Sequence, residues 1–366
     1  MGVLRLLLAI SVALFHADSA GVQFVGGGIA VETFFLISGF YMSLILDKKY
    51  TGINGGYRLF ITNRLLKLYP PYWTVLLLAV VIQLTFWAGT GQPMLVLYQL
   101  VHFKLSAGSI AFLSFANIGM LGQDVVAFMG LNKATGNLYF TPDFVRTYPF
   151  VFSFLFIPQG WSLAIELVFY LVAPWLLRRK MFLAFCMMAT VLALRIWLLD
   201  GLKLHYDPWI FRFFPSQLFF FLLGNMAYRL YRFSQNRFTI RRSLGLPILT
   251  IAVLITIIYP YVPAGFPKRE AYYALVFLML PILTNAQQFF KYDNLFGELS
   301  YPVYLVHMLV LTTFVTLQSR FSGLRALPVN IITVLFSLIA AVMINKWIVK
   351  PVNSYRQSRV KQTVSS

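Results

Sequence analysis

Residues 27–46 read GGIAVETFFLISGFYMSLIL. The run holds one ionisable side chain, Glu32, and opens on two glycines. As a helix it covers about 30 Å, the hydrocarbon thickness of a bilayer. Nine further apolar segments of similar length surround it, at 3–18, 70–88, 161–177, 181–199, 209–228, 246–264, 271–289, 299–318 and 328–345. Backbone groups in lipid must be satisfied within the segment, so these segments predict helices. Runs such as Thr250–Tyr259 lack the alternation of a barrel strand.

Composition agrees. Of 366 residues 59% are hydrophobic and 11% charged, against roughly 25% charged in soluble domains. A soluble globule of this size cannot bury so much apolar surface. With 36 Phe and 20 Tyr the chain is too aromatic for disorder. One cysteine excludes a disulfide scaffold and a thiolate metal cluster. The reading is an all-α polytopic membrane bundle of about ten spans.

Charge sets the orientation. With the N-terminus in the cytoplasm, twenty of the 30 Lys and Arg fall in inside segments and eight outside, with Arg195 and Arg212 near span ends. This bias predicts that both termini are cytoplasmic. It also accounts for the net charge of +19 without a nucleic-acid partner. The N-terminus has no clear cleavage site, so the first span is expected to be retained. Residues 89–160 form one long external loop. Its apolar stretches Met94–Val101 and Ser109–Leu121 are either re-entrant or interfacial helices, or an added pair of spans. Phe144–Ile157 joins the same cap. Residues 1–350 make the transmembrane domain, and 351–366 a basic cytoplasmic tail expected to lack structure.

Ionisable groups inside hydrocarbon are costly and by default mark function. His16 lies eleven residues after Arg5, or ~16 Å along a helix. That spacing suits an extended ligand with its anionic end on Arg5 and its reacting end at His16. The plainer alternative is a buried histidine bonded to a neighbouring helix. Asp18 is two positions on and faces elsewhere. Glu32 either orients His16 across the helix contact or is satisfied by backbone. Glu166 sits between Trp161 and Tyr170 and either lines a cleft or holds a Lys or Arg. Arg64 and Lys67 share a helical face, where they bind phosphate or simply mark an inside loop.

Together these segments resemble the membrane acyltransferase-3 family, the O-acyltransferases that acetylate bacterial surface polysaccharides. The first span matches the family's basic residue, ten positions, then histidine, at Arg5 and His16. The second matches at Gly28, Val31, Glu32, Phe34, Phe35, Ser38, Gly39 and Phe40. The next segment matches at Arg64, Leu68, Pro70 and Tyr72, with Lys67 where the family usually has arginine. A Trp-Ser-Leu-x-x-Glu-x-x-Phe-Tyr pattern runs from Trp161 to Tyr170. A late pattern is met by Ser300, Tyr301, Tyr304, Leu305 and His307.

The resemblance implies transfer of an acyl group, usually acetyl, from cytoplasmic acyl-CoA to a sugar hydroxyl outside. Acetyl-CoA is then a donor substrate and not a resident cofactor. The acceptor is a polysaccharide or lipid-linked glycan, and the enzyme sits in the plasma (inner) membrane. On this reading His16 is the general base and Glu32 orients it. Arg5, Arg64 and Lys67 hold the coenzyme phosphates. His307, ~10 Å along the helix from Ser300, should lie below His16 and position coenzyme A or lock helices. Trp161, Glu166, Tyr170, Ser300 and Tyr301 line or support the site, and Asn117 joins Trp161 and Tyr170 as a possible sugar contact. The four histidines are widely spaced in sequence, so no metal site is expected. The alternative from another class is a proton-coupled transporter of a sugar-linked or small solute. A third is a non-catalytic membrane scaffold or sensor.

Overall fold

The computed structural model describes residues 1–17, 23–50, 56–235, 244–263, 265–285 and 292–365. Asp18 lies outside the described residues, as do the basic groups Arg237, Arg241, Arg242 and Lys291. The protein is an all-α membrane bundle with one minimal hairpin. Each of the ten apolar segments falls largely on a helix: α1 (Gly2–His16), α2 (Gly27–Lys49), α3 (Gly56–Thr90), α6 (Trp161–Leu177), α7 (Met181–Ile196), α8 (Phe214–Gln235), α9 (Gly245–Ile258), α10 (Lys268–Asn285), α11 (Asp293–Arg320) and α12 (Val329–Ile344). Among the described residues, six helical stretches are long and apolar enough to cross a membrane; α1 and α9 are apolar but shorter.

Two glycines set a close contact between α2 and α8. A Cβ on Gly39 of α2 would sit 2.0 Å from the Phe221 carbonyl oxygen of α8, and one on Gly224 of α8 would sit 2.1 Å from that of Leu36. Only hydrogen fits at either position, so the backbones of α2 and α8 touch directly. Elsewhere Asp293, at the start of α11, accepts from the Met1 amino group (2.8 Å) and the Val3 amide (3.1 Å). Those donors are among the unpaired N–H groups that open a helix. The contact places the starts of α1 and α11 at one level.

Three expectations change. First, the basic segment expected as a loop before residue 70 is helical. The α3 helix starts at Gly56 and runs through Pro70 and Pro71 without a break. At 35 residues it is ~52 Å long, well beyond the hydrocarbon thickness. The span expected from residue 70 is the later part of this helix, and Leu68 and Tyr72, on either side of the two prolines, both pack in the core.

Second, the tail is not without structure. It forms α13 (Lys350–Ser365), joined to α12 by a π-turn over 345–349. Arg359 ties it to α3 by hydrogen bonds to Asn63 Oδ1 and Thr62 Oγ1, both 3.0 Å.

Third, 89–160 is a folded cap and adds no pair of spans. Helices α4 (Leu95–His102) and α5 (Ala107–Gly119) have 8 and 13 residues, too short for about 30 Å. Strands β1 (Met129–Leu131) and β2 (Leu138–Phe140) pair antiparallel, with Gly130 opposite Tyr139. The cap has its own small core of Leu113, Ala116, Val126, Leu131, Val151, Phe154 and Leu155. Three aromatic side chains of α3 seat it. Tyr72, Trp73 and Tyr69 donate to the carbonyls of Asn117, Ile118 and Gly119. These are orphan acceptors at the end of α5. Asn117 itself bonds Leu113, Phe154 and Phe156 backbone groups and so staples the cap together.

Candidate active site

One end of the bundle carries a basic cavity. Its walls come from the starts of α1 and α11, the end of α2, the first half of α3 and the inner face of α13. The cavity has a volume of about 830 Å³ and is lined by Arg5, Lys48, Lys49, Arg64, Lys67 and Arg356, among others. A second cavity of 180 Å³ continues inward, and Arg5, Arg64 and Lys67 line both. These three cations therefore form a neck. Beyond the neck the walls turn mostly apolar, with Phe34, Phe35, Leu68 and Leu163, and end on Ser162 and Tyr304.

The neck cations have no acid of their own among the described residues. Arg64 is buried, with its guanidinium over the Phe60 and Tyr170 rings and its Nε without a partner. Neither Arg5 nor Lys67 forms an ion pair with a carboxylate. Three acids line the two cavities: Glu298 in the outer one, and Glu166 and Asp293, whose carboxylates are occupied. Glu166 accepts from Ser38 Oγ (2.7 Å) and from the Tyr170 hydroxyl. Asp293 holds the start of α1. Buried cations left uncompensated are costly, and an anionic ligand offsets that cost. Glu166 thus serves the cavity wall through two hydroxyl groups and holds no Lys or Arg in a salt bridge. Ser300 bonds the Gly297 carbonyl within α11, and Tyr301 bonds the Leu68 carbonyl of α3 at 2.7 Å, so Tyr301 fixes α11 against the neck.

His16 and His307 meet past the inner end of the second cavity. Their rings stack at a centroid distance of 5.4 Å and an interplanar angle of 26°. This corrects the expectation that His307 lies below His16. That estimate counted from Ser300, but α11 begins at Asp293, level with Met1. His307 is then ~21 Å along its helix and His16 ~22 Å along its own. Equal rises bring the two side chains to one height. His307 is fully buried, and its Nδ1 lies 2.7 Å from the Tyr304 carbonyl oxygen. A carbonyl only accepts, so Nδ1 carries the proton. Nε2 is then the basic nitrogen, and it is buried without a partner. Tyr304 links the histidines to the cavity. Its hydroxyl meets Ser162 Oγ at 2.6 Å, and its ring lies 5.7 Å from that of His307.

Glu32 is engaged by other groups. Both its oxygens are taken, Oε1 by Arg195 at 2.9 Å and Oε2 by Arg269 at 2.6 Å and by the Tyr273 hydroxyl. No hydrogen bond joins it to His16 among the described residues. The expected contact of Glu32 with His16 is not formed, because Arg195, which the sequence places near a span end, and Arg269 both turn inward to the carboxylate. Trp161 carries the Arg212 guanidinium over its ring at 4.9 Å, and Asp207 holds Arg212 at 2.9 Å. Lys48, Lys49 and Arg356 escaped the sequence reading as cavity residues because they looked like ordinary inside charges.

The acyltransferase-3 model, described as an acyltransferase domain, matches residues 1–346, and the chain belongs to that family. It is a membrane O-acyltransferase drawing on acyl-CoA. The chain is also 27% identical over 157 residues to a protein of Aquifex aeolicus (strain VF5) described as uncharacterized, a match covering 42% of this chain and 69% of that one. No solved structure matches it significantly.

Proposed function

We propose that the enzyme moves an acetyl group from cytoplasmic acetyl-CoA to a hydroxyl of an exported or surface polysaccharide. The observation that carries this reading is the neck: Arg5, Arg64 and Lys67 converge with no salt bridge to a carboxylate among the described residues, between a wide basic mouth and a largely apolar arm that ends near two histidines. Coenzyme A has the matching order of parts, with phosphates first, then the pantetheine arm, then the thioester.

In the reaction His16 takes the proton of the acceptor hydroxyl as its oxygen attacks the thioester carbonyl. The carbon–sulfur bond then breaks, and the departing thiolate recovers the proton. His307 stacks on the base and offers Nε2 as a hydrogen-bond acceptor at the same height. Arg5, Arg64 and Lys67 hold the phosphates. Trp161 and the cap over 89–160 lie on the acceptor side, with Glu166, Tyr170, Ser300 and Tyr301 shaping the donor side.

The topology that goes with this has ten spans and cytoplasmic termini. Hydrogen bonds gather inside-type basic groups at the mouth end: Arg178 reaches the Leu46 and Tyr50 carbonyls, Arg232 reaches Asp47, and Arg359 reaches Asn63. Purified full-length enzyme in detergent, given labelled acetyl-CoA and a panel of polysaccharides, should transfer label to glycan. Failure to transfer to any hydroxyl acceptor, or use of another acyl-CoA in preference, would overturn the assignment.

A further inference from the structure

The family match ends at residue 346, yet α13 beyond it supplies one wall of the basic cavity. Asn353, Arg356, Gln357 and Val360 line that wall. Their spacing puts them on one helical face. Arg356 bonds Asn353 Oδ1 at 2.6 Å through Nη1, while its Nε is buried and has no partner. No carboxylate pairs with it among the described residues, and it lies within electrostatic range of Arg64 and Lys67. The hydrogen bonds from Arg359 to α3 fix the helix in place, so this wall is built and not incidental.

Depth separates the cations into two tiers. Arg5, Arg64 and Lys67 line both cavities, whereas Arg356, Lys48 and Lys49 line the outer one alone. Coenzyme A has two phosphate sites in matching order. Its pyrophosphate adjoins the pantetheine arm, and the ribose 3′-phosphate lies further out. We infer that α13 completes the donor site and that Arg356, supported by Lys48 and Lys49, recognises the ribose 3′-phosphate. The neck cations hold the pyrophosphate. The inference rests on the acyl-CoA reading of the same cavity. It makes the C-terminal helix the part of the chain that distinguishes coenzyme A from donors lacking that phosphate.

The test compares acetyl-CoA with acetyl-3′-dephospho-CoA as donors for the full-length enzyme. Wild type should prefer acetyl-CoA. Arg356→Gln should reduce that preference about tenfold, by raising the KM for acetyl-CoA alone. Arg356→Lys should keep part of it, because lysine retains the charge without the fork. Arg64→Ala should raise KM for both donors alike. Thermal unfolding of each variant without donor separates recognition from folding. If Arg356→Gln and Arg356→Lys keep the wild-type preference, or weaken both donors equally, the inference is overturned. If wild type uses neither coenzyme donor, the reading of the cavity fails first, and that result is distinct.

Discussion

Two clusters of buried charge in this bundle have opposite accounts. At one end Glu32 closes a complete set, with Arg195, Arg269 and Tyr273 using both carboxylate oxygens. At the other, Arg5, Arg64, Lys67 and Arg356 crowd one cavity, and none of them forms an ion pair with a carboxylate among the described residues. In the first arrangement each cation holds an oxygen of the shared carboxylate. In the second the cations outnumber the lining carboxylates and pair with none of them among the described residues, so an anionic ligand would offset their charge. Burial of charge is therefore not by itself a mark of catalysis. On the proposed function the unpaired cluster faces the substrate, whereas the paired one joins α2 to the segments that carry Arg195 and Arg269.

The comparison breaks most directly at Glu32. Replacing it by glutamine leaves Arg195 and Arg269 without their counter-charge. Glu32→Gln should cost about 3–5 kcal/mol of stability, the range for breaking a buried pair by removing one partner. Arg64→Met should do the reverse, leaving donor-free stability equal or slightly raised. Thermal unfolding in one detergent measures both. A Glu32→Gln protein as stable as wild type, with lost turnover, would return Glu32 to the reacting centre.

The next largest effect belongs to the histidines. His16→Ala should lower acetyl transfer at least ~10²-fold, the lower end of a general base's contribution. Donor affinity and unfolding temperature should stay near wild type. His307→Ala was first expected to act on donor binding. With its ring stacked on His16 it should instead lower turnover, with little change in donor affinity. Single-turnover transfer and direct binding of acetyl-CoA separate these effects. Full turnover in a folded His16→Ala enzyme would end this mechanism.

The helices and the approach of Arg64 and Lys67 to one cavity were legible because each rests on a local signal: hydropathy over twenty residues or a three-residue helical offset. What was not legible depends on where helices begin and on which distant residues meet. His307 was placed too low because the hydropathy minimum near Ser300 hides seven helical residues after Asp293. Glu32 was matched with His16 because both looked unpartnered, while its partners Arg195 and Arg269 lie 163 and 237 positions away. The tail read as disordered because its polar composition matches a solvated segment. Its contacts with α3 are made by single residues such as Arg359.

The neck offers a smaller effect. Arg64→Ala should raise the KM for acetyl-CoA by roughly tenfold or more, as expected for loss of a hydrogen-bonded charge, while the acceptor KM stays put. Varying each substrate in turn checks this. An unchanged donor dependence would remove Arg64 from the phosphate site and weaken the contrast between the two clusters.

The smallest predicted effect concerns Lys67, where the family usually carries arginine. Lysine is a compact point charge with no fork, so it meets a phosphate through charge more than through paired hydrogen bonds. Lys67→Arg keeps the charge count of the neck and adds a planar donor set. If the neck is open until donor arrives, the longer side chain has room in the 830 Å³ mouth. It should then lower the donor KM a few-fold, below about 1 kcal/mol, with unfolding temperature unchanged. The opposite result would also be informative: a higher donor KM with a lower unfolding temperature means that Arg5, Arg64 and Lys67 are already packed against one another. The unpaired cluster would then be a structural one, like that around Glu32, and the distinction drawn between the two ends of the bundle would no longer hold.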